Sequence, residues 1–344
     1  MKSNYRYIVK AFMAMAVIAG TTSCDDFLDR EPMSSISPET YYSTAAQLEA
    51  NLNDEYPNVL PSFGQWTYGI FGEDKGTDNQ IEVNANDRYT QDRWKVPHSE
   101  SDNWKFERIY RINFFLSEAL PKFGEDMIGS QNTISGSVAT IKHYIGEMYF
   151  LRAYEYFKKL QLFGDFPIIN QPLADEMEAL REASKRFPRN EVARFIISDL
   201  DKAYAYMSDV DMATTRINKD AAMLVKSRVA LFEATWLQNF KGTAFVPGGE
   251  GWPGASLHNN YQYPSGNIDN EVKYFLEQAV EASKLVADKY KGNLTENTGV
   301  LQQSADDPSN PYFDMFAQED LSDVKEVLLW RQYARGLSTH NINA

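Results

Sequence analysis

The 344 residues predict a mostly α-helical protein built from stacked helix pairs, with minor β structure and one long irregular face. Three observations carry that reading. Apolar residues recur at three- and four-residue steps in six separate stretches. Two of the longest stretches echo one another, Leu151-Arg152-Ala153 against Ser227-Arg228-Val229, and each is followed by a shorter acidic helix. Residues 58–100 and 240–268, by contrast, fit neither a helical nor a strand period.

Residues 1–23 read as an export signal. Lys2, Arg6 and Lys10 precede an apolar run from Ala11 to Gly20, too short to span a bilayer. Small residues then lead to Cys24, the single cysteine, so no internal disulfide can form. The arrangement is similar to a bacterial lipoprotein signal, which would make Cys24 the acylated N-terminus and anchor the protein by lipid alone. An ordinary secretory signal with an incidental cysteine is the competing reading. Residues 24–43 are acidic and polar, as expected of a tether, and residues 44–344 form the helical domain.

The first helix is expected from Ser43 or Thr44, as cap, to about Tyr56, before Pro57. A second is expected from Ser101 to Leu120, with Ile109, Ile112, Phe115, Leu116 and Leu120 inward. The central helix covers about 136–162. Ile141, Tyr144, Ile145, Met148, Tyr149, Arg152, Tyr156, Phe157 and Leu160 share one face of it. Gly164 supplies a left-handed stop, and Pro167 prevents resumption before the extended Ile168-Ile169. Arg152 lies mid-stripe and requires a carboxylate or carbonyl, supplied either by a neighbouring helix or by an anionic ligand. Further helices are expected over 190–207 with Asn190 as cap, over 218–239, and over 270–290. Both Arg152 and Arg228 fall mid-stripe. Pro311 to Phe313 and Val324 to Tyr333 read as a strand that needs partners from earlier in the chain or from a continuation of it.

A net charge of −14 makes nucleic acid a poor partner. No two of the four histidines lie at a metal-ligand spacing, and the nucleophile-elbow, P-loop, dinucleotide and zincin motifs are all missing. Asp209 with Asp211, or Asp306 with Asp307, are candidate calcium ligands, though neither pair has EF-hand spacing. No other cofactor is expected. A carboxylate pair of glycosidase type has no particular candidates.

The positive chemical signal lies in residues 58–100, where six aromatic residues are interleaved with glycine, Asp and Asn. Flat rings beside amides and carboxylates suit carbohydrate: sugar C–H faces stack on the ring while polar groups take the hydroxyls. Trp66 and Trp94, with Asp78, Asn79 and Arg88, are the candidate ligand residues. Filling a loop-rich core is the alternative use of the two tryptophans.

Four segments together resemble one family: SCDDFLD from Ser23, FLRAYEYFKKLQLFGDFPII from Phe150, RNEVARFIISDLDKAY from Arg189, and INKDAAMLVKSRVALFEA from Ile217. They are similar to the SusD/RagB family of surface glycan-binding lipoproteins of Bacteroidetes, over Cys24 to about Tyr333. The resemblance implies tetratricopeptide-like helix pairs scaffolding a loop-rich ligand face, no catalysis, and a position as lid on a SusC-type TonB-dependent transporter. The ligand would be an oligosaccharide or another nutrient. It also implies a further C-terminal segment, which this chain is expected to lack. Family ligand contacts fall in variable loops, so the five candidate residues rest on their chemistry. An interaction lipoprotein that touches no sugar, and a carbohydrate hydrolase, are the alternative functions.

Overall fold

A single helix runs through the middle of the domain, buried on every side. In the computed structural model, which describes residues 41–61, 80, 103–124, 126–208, 212–301, 304 and 306–333, that helix is α3, Val138–Phe163. It follows α1 (Ala45–Val59) and α2 (Glu107–Phe123). After it come the short α4 (Met177–Ala183), then α5 (Arg189–Tyr206), α6 (Lys219–Asn239), α7 (Ile268–Tyr290) and the short α8 (Pro311–Phe316). The chain divides into Met1–Tyr42 and Ser43–Ala344, and the elements described here belong to the second unit. Among the described residues, no helix is long and apolar enough to cross a membrane.

From Ile141 to Leu160 every residue of α3 is buried except Lys142, Tyr154 and Lys158, which are half-buried. A helix covered all round needs neighbours on all sides, and it has them: α1, α2 and α5 each pack against it. Gly146 sets the closest approach. A Cβ there would lie 2.9 Å from the Ala203 carbonyl oxygen and 2.8 Å from the Met207 amide, so any side chain would push α5 away.

From α3 onward the helices stack as antiparallel neighbours. Tyr149 meets Tyr206 while Tyr156 meets Phe195, which fixes α3 against α5. Arg189–Glu233 and Lys226–Asp201 do the same for α5 against α6. Lys241–Asp269 and Lys289–Asp220 do so for α6 against α7. The expected helix pairs are therefore α3 with α5, and α6 with α7.

Thr44 caps α1 in a capping box with Gln47, as its spacing predicts. Asn218 and Asn267 cap α6 and α7 through their side chains. Gly164 ends α3 at φ 67°, within the left-handed region that suits glycine.

Several expectations are corrected. Helix α1 carries Pro57 in its last turn and closes at Val59, because a proline near a helix end removes only one late hydrogen bond. Helix α2 starts at Glu107, six residues later than expected, since Trp104 and Phe106 turn their rings into an aromatic cluster. Leu120 is only half-buried, and Ala119 and Phe123 take the inward places. Pro188, not Asn190, sits at the α5 N-cap; Asn190 is buried in the first turn, bonded to Tyr261 and Glu271. Arg228 is exposed, so the echo of Arg152 is one of sequence only. Pro311 to Phe316 are helical, and Val324 to Tyr333 run without strand pairing. Between described residues the bridges are Thr44 with Ser135 and Phe166 with Phe187.

Arg152 finds its partner in protein. Its Nε and Nη2 donate to the two oxygens of Asp199 on α5, at 2.6 and 2.8 Å, and Nη1 donates to Asn113 Oδ1 on α2 and to the Asn170 carbonyl. The anionic-ligand alternative is thereby displaced. Removing one member of a buried pair strands the other. Arg152→Leu should therefore lower the unfolding free energy of the full chain by ~3–5 kcal/mol in urea titration, and Arg152→Leu with Asp199→Leu should recover most of that loss. An additive double mutant would show that the two charges are not coupled.

Candidate functional site

Two adjacent lysines on the last turns of α3 hold both ends of the aromatic-polar stretch. Lys158 Nζ donates to the carbonyl of Val59, the last residue of α1. Lys159 Nζ donates to the carbonyl of Asn103 at 2.8 Å. Glu155 sits one turn back, 3.5 Å from the first ammonium and 3.3 Å from the second. Burial pushes the Lys158 pKa down against the pull of Glu155. The two carbonyls bracket residues 60–102, within which Trp66, Asp78, Asn79, Arg88 and Trp94 all fall. Those five residues lie outside the described residues, as do Cys24, Asp209 and Asp211.

The far end of the bracket is also seated aromatically. Trp104 stands edge-on to Phe163 and to Phe166, each 4.9 Å away, and Phe106 stacks on Phe166 at 5.1 Å. The Leu162 to Phe166 block is thus the seat on which the chain returns to the scaffold. The sequence reading missed the lysine pair. Its one signal was two neighbouring cations on a face otherwise apolar, three and four residues after a glutamate.

Beside Pro61, where the described part of α1's exit ends, a groove of about 860 Å³ opens. The end of α1 and the helices α3 and α6 form one wall, and residues 326–332 cross over them. Phe150 and Tyr154, one turn apart on α3, present rings only 10° from parallel. The crossing segment is pinned by Trp330, whose backbone N–H and Nε1 donate to the Thr214 carbonyl and hydroxyl at 3.1 and 2.9 Å. Asn218 Nδ2 donates to the Leu328 carbonyl.

Tyr56, which lines the groove, is held by hydrogen bonds. Tyr56 OH donates to Glu147 Oε2 at 2.9 Å and accepts from the Ile217 amide, while Arg216 donates to both Glu147 oxygens. Burial and the neighbouring Glu147 hold the Tyr56 hydroxyl well above its usual pKa. Thr215, Glu326 and Gln332 supply polar groups at the edge. The result is an apolar, ring-lined trough with a few directing groups, the form that small-ligand sites take.

Five buried carboxylates pair with arginines, Glu55 with Arg111, Glu147 with Arg216, Asp199 with Arg152, Glu233 with Arg189, and Glu271 with Arg194, while the buried Glu155 is held by the two lysines. Glu271 shows the balance. Burial raises its pKa, but hydrogen bonds from Arg194, Asn190 and Ser265 outweigh that and hold it below the ordinary value. Among the described residues, no group of three or more His, Cys, Asp or Glu is placed to hold a metal ion. Asp307 is engaged locally, accepting from the Ser304 amide at 2.8 Å.

Residues 26–231 match the model of a SusD-like family described as starch-binding associating with outer membrane. The chain belongs to the SusD-like family. SusD-like protein P25 of Formosa agariphila is 26% identical over 233 residues, covering 62% of this chain and 41% of that protein. SusD-like protein P2 of the same organism is 25% identical over 253 residues, covering 70% and 46%. The chain therefore spans less than half the length of these curated relatives. Among solved structures, a SusD-like protein from Bacteroides fragilis superposes with a TM-score of 0.43 at 21% identity, over 62% of this chain and 39% of the other. A SusD-like carbohydrate binding protein from the same species gives 0.42 at 17% identity, over 75% and 42%.

The bracket makes a prediction for this SusD-like chain. Lys158→Met with Lys159→Met leaves both carbonyls without their charged donors, each worth about 1.5–3 kcal/mol as a charge-assisted bond. Limited proteolysis should then cut within residues 60–102 at least tenfold faster than in the parent, with far-ultraviolet circular dichroism unchanged. Equal cleavage rates would show that the lysines do not hold these ends.

Proposed function

We propose that this SusD-like protein is a glycan-binding lipoprotein of the outer membrane that captures an oligosaccharide and delivers it to a SusC-type TonB-dependent transporter, without turning it over. The observation that carries this reading is the match of residues 26–231 to a family described as starch-binding and associating with the outer membrane. The helix stack serves as scaffold. Trp66 and Trp94 are the stacking platforms, with Asp78, Asn79 and Arg88 on the sugar hydroxyls. The ring-lined groove beside Pro61 adjoins the start of that stretch and extends the surface open to a chain of sugars.

Membrane attachment follows from Cys24 as the acylated residue after signal cleavage, with residues 25–43 as tether. Cys24→Ala should abolish incorporation of radiolabelled palmitate in cells and release the protein from the outer-membrane fraction. Retained label would place the lipid elsewhere.

Ligand binding is tested by affinity electrophoresis of residues 25–344 through gels containing soluble starch and other polysaccharides. Retardation by one or a few of these is expected, and Trp66→Ala or Trp94→Ala should weaken it, since each removes a ring on which a sugar face stacks. Unchanged retardation in both variants would move the site off this stretch. A chain that runs free in every gel yet still co-purifies with a transporter would be an interaction lipoprotein instead.

A further inference from the structure

A second pocket, of about 460 Å³, lies at the α3 C-terminus and shares no lining residue with the groove beside Pro61. Its walls are tied together by side-chain pairings, of which Arg189–Glu233 is buried. Trp252 Nε1 donates to Asp165 Oδ2 at 2.7 Å, and Asp165 Oδ1 accepts from the Arg189 amide at 2.9 Å. Trp236 Nε1 donates to the Phe245 carbonyl, and the Arg189 guanidinium lies 4.1 Å over the Trp236 ring. Glu233 takes Arg189 Nε and Nη2. Both carboxylates nearest the pocket are therefore spent.

What remains unspent is a set of donors. Arg189 is buried, yet its Nη1 donates to no acceptor among the described residues. Gly164 leaves that nitrogen uncovered: a Cβ there would stand 3.4 Å from it, at a φ of 67° that only glycine adopts freely. Arg186 is exposed, lies 4.6 Å over the Trp104 ring, and makes no side-chain hydrogen bond or ion pair among the described residues. The Gln161 amide is exposed and likewise unpaired there. Around these donors stand three large apolar side chains left in solvent, Leu162 at 57%, Phe245 at 61% and Leu257 at 54% exposure.

A pocket that spends its acceptors internally, turns guanidinium donors outward and rims them with apolar surface selects a particular ligand. The ligand must carry an anionic group and, beside it, a compact apolar face. In a chain of net charge −14, such a site does not arise from bulk charge. Planar guanidinium suits a carboxylate, which can take two parallel hydrogen bonds. The volume suits one or two sugar rings.

We propose that this pocket binds a carboxylate-bearing sugar, a uronic-acid unit. Arg186 and Arg189 Nη1 take the carboxylate, Gln161 takes a hydroxyl, and the ring packs against Phe245 and Leu257. That the ligand is a saccharide rests on the glycan-binding reading above; that it is acidic rests on the pocket alone.

The probes are D-galacturonate and D-galactose, which differ only in the oxidation state of C6, measured on the full chain by saturation-transfer NMR and calorimetry. The acid should bind at least tenfold more tightly than the neutral sugar, and the preference should shrink as salt rises. Arg186→Met, a surface change, should erase the preference. Phe245→Ala should weaken binding of both sugars. Trp66→Ala with Trp94→Ala should leave the preference intact, which separates this pocket from the stretch tested by gel retardation. Equal affinities for acid and neutral sugar, no binding of galacturonate, or a preference that survives Arg186→Met would overturn the proposal, whatever the gels show. Retardation that persists in both tryptophan variants, with the acid preference intact, would instead sink the assignment of Trp66 and Trp94.

Discussion

Arg152 places a full positive charge at the centre of the most buried helix in the domain, and the surrounding helices are arranged to answer it. Such a charge cannot be left unmatched, because desolvation alone costs several kcal/mol. Asp199 from α5 supplies the countercharge, Asn113 from α2 one acceptor, and the carbonyl of Asn170, past the end of α3, another. One side chain thereby fixes the register of two helices and the path of the chain after Gly164. A one-turn slip of α5 would leave Arg152 facing carbon.

The same device recurs between other neighbours. Arg189 with Glu233 joins α5 to α6, Arg194 with Glu271 joins α5 to α7, and Arg216 with Glu147 ties the start of α6 to α3. Buried pairs of this kind add little net stability over apolar residues of equal volume. Here each pair ties one helix to a particular position on its neighbour. Helices as uniformly covered as α3 have no apolar stripe to orient them, so polar pairing supplies what the stripe cannot.

A scaffold fixed in this way suits a binding protein whose specificity lies on attached loops. The connector 240–267 illustrates the join. Trp252 reaches Asp165, Tyr261 reaches Asn190, and Tyr263 donates to the Pro247 carbonyl, so an irregular stretch rich in Gly and Pro is ordered by its aromatic residues. Lys158 and Lys159 do the equivalent for the chain on either side of residues 60–102. Irregular backbone needs such outside partners, because it lacks the internal hydrogen bonds of a helix.

The sequence by itself determined the six long helices, the cap at Thr44 and the stop at Gly164. Each depends on residues within a few positions of one another, and local spacing records such relations faithfully. It also marked Arg152 as a charge in need of a partner. Only the tertiary structure decided that the partner is Asp199, 47 positions away, and that Arg228 in a similar setting faces solvent. Asn190 has the composition of a cap yet serves as a buried bridge to Tyr261 and Glu271, and VKEVLLWRQY has the composition of a strand yet crosses a groove unpaired. In both, the local preference was weaker than the contacts offered by distant parts of the chain. The pocket at Gly164 was illegible for the same reason. Its donors count as free only because Glu233 and Asp165 are already occupied, and occupancy is a property of the assembled helices, not of any one segment.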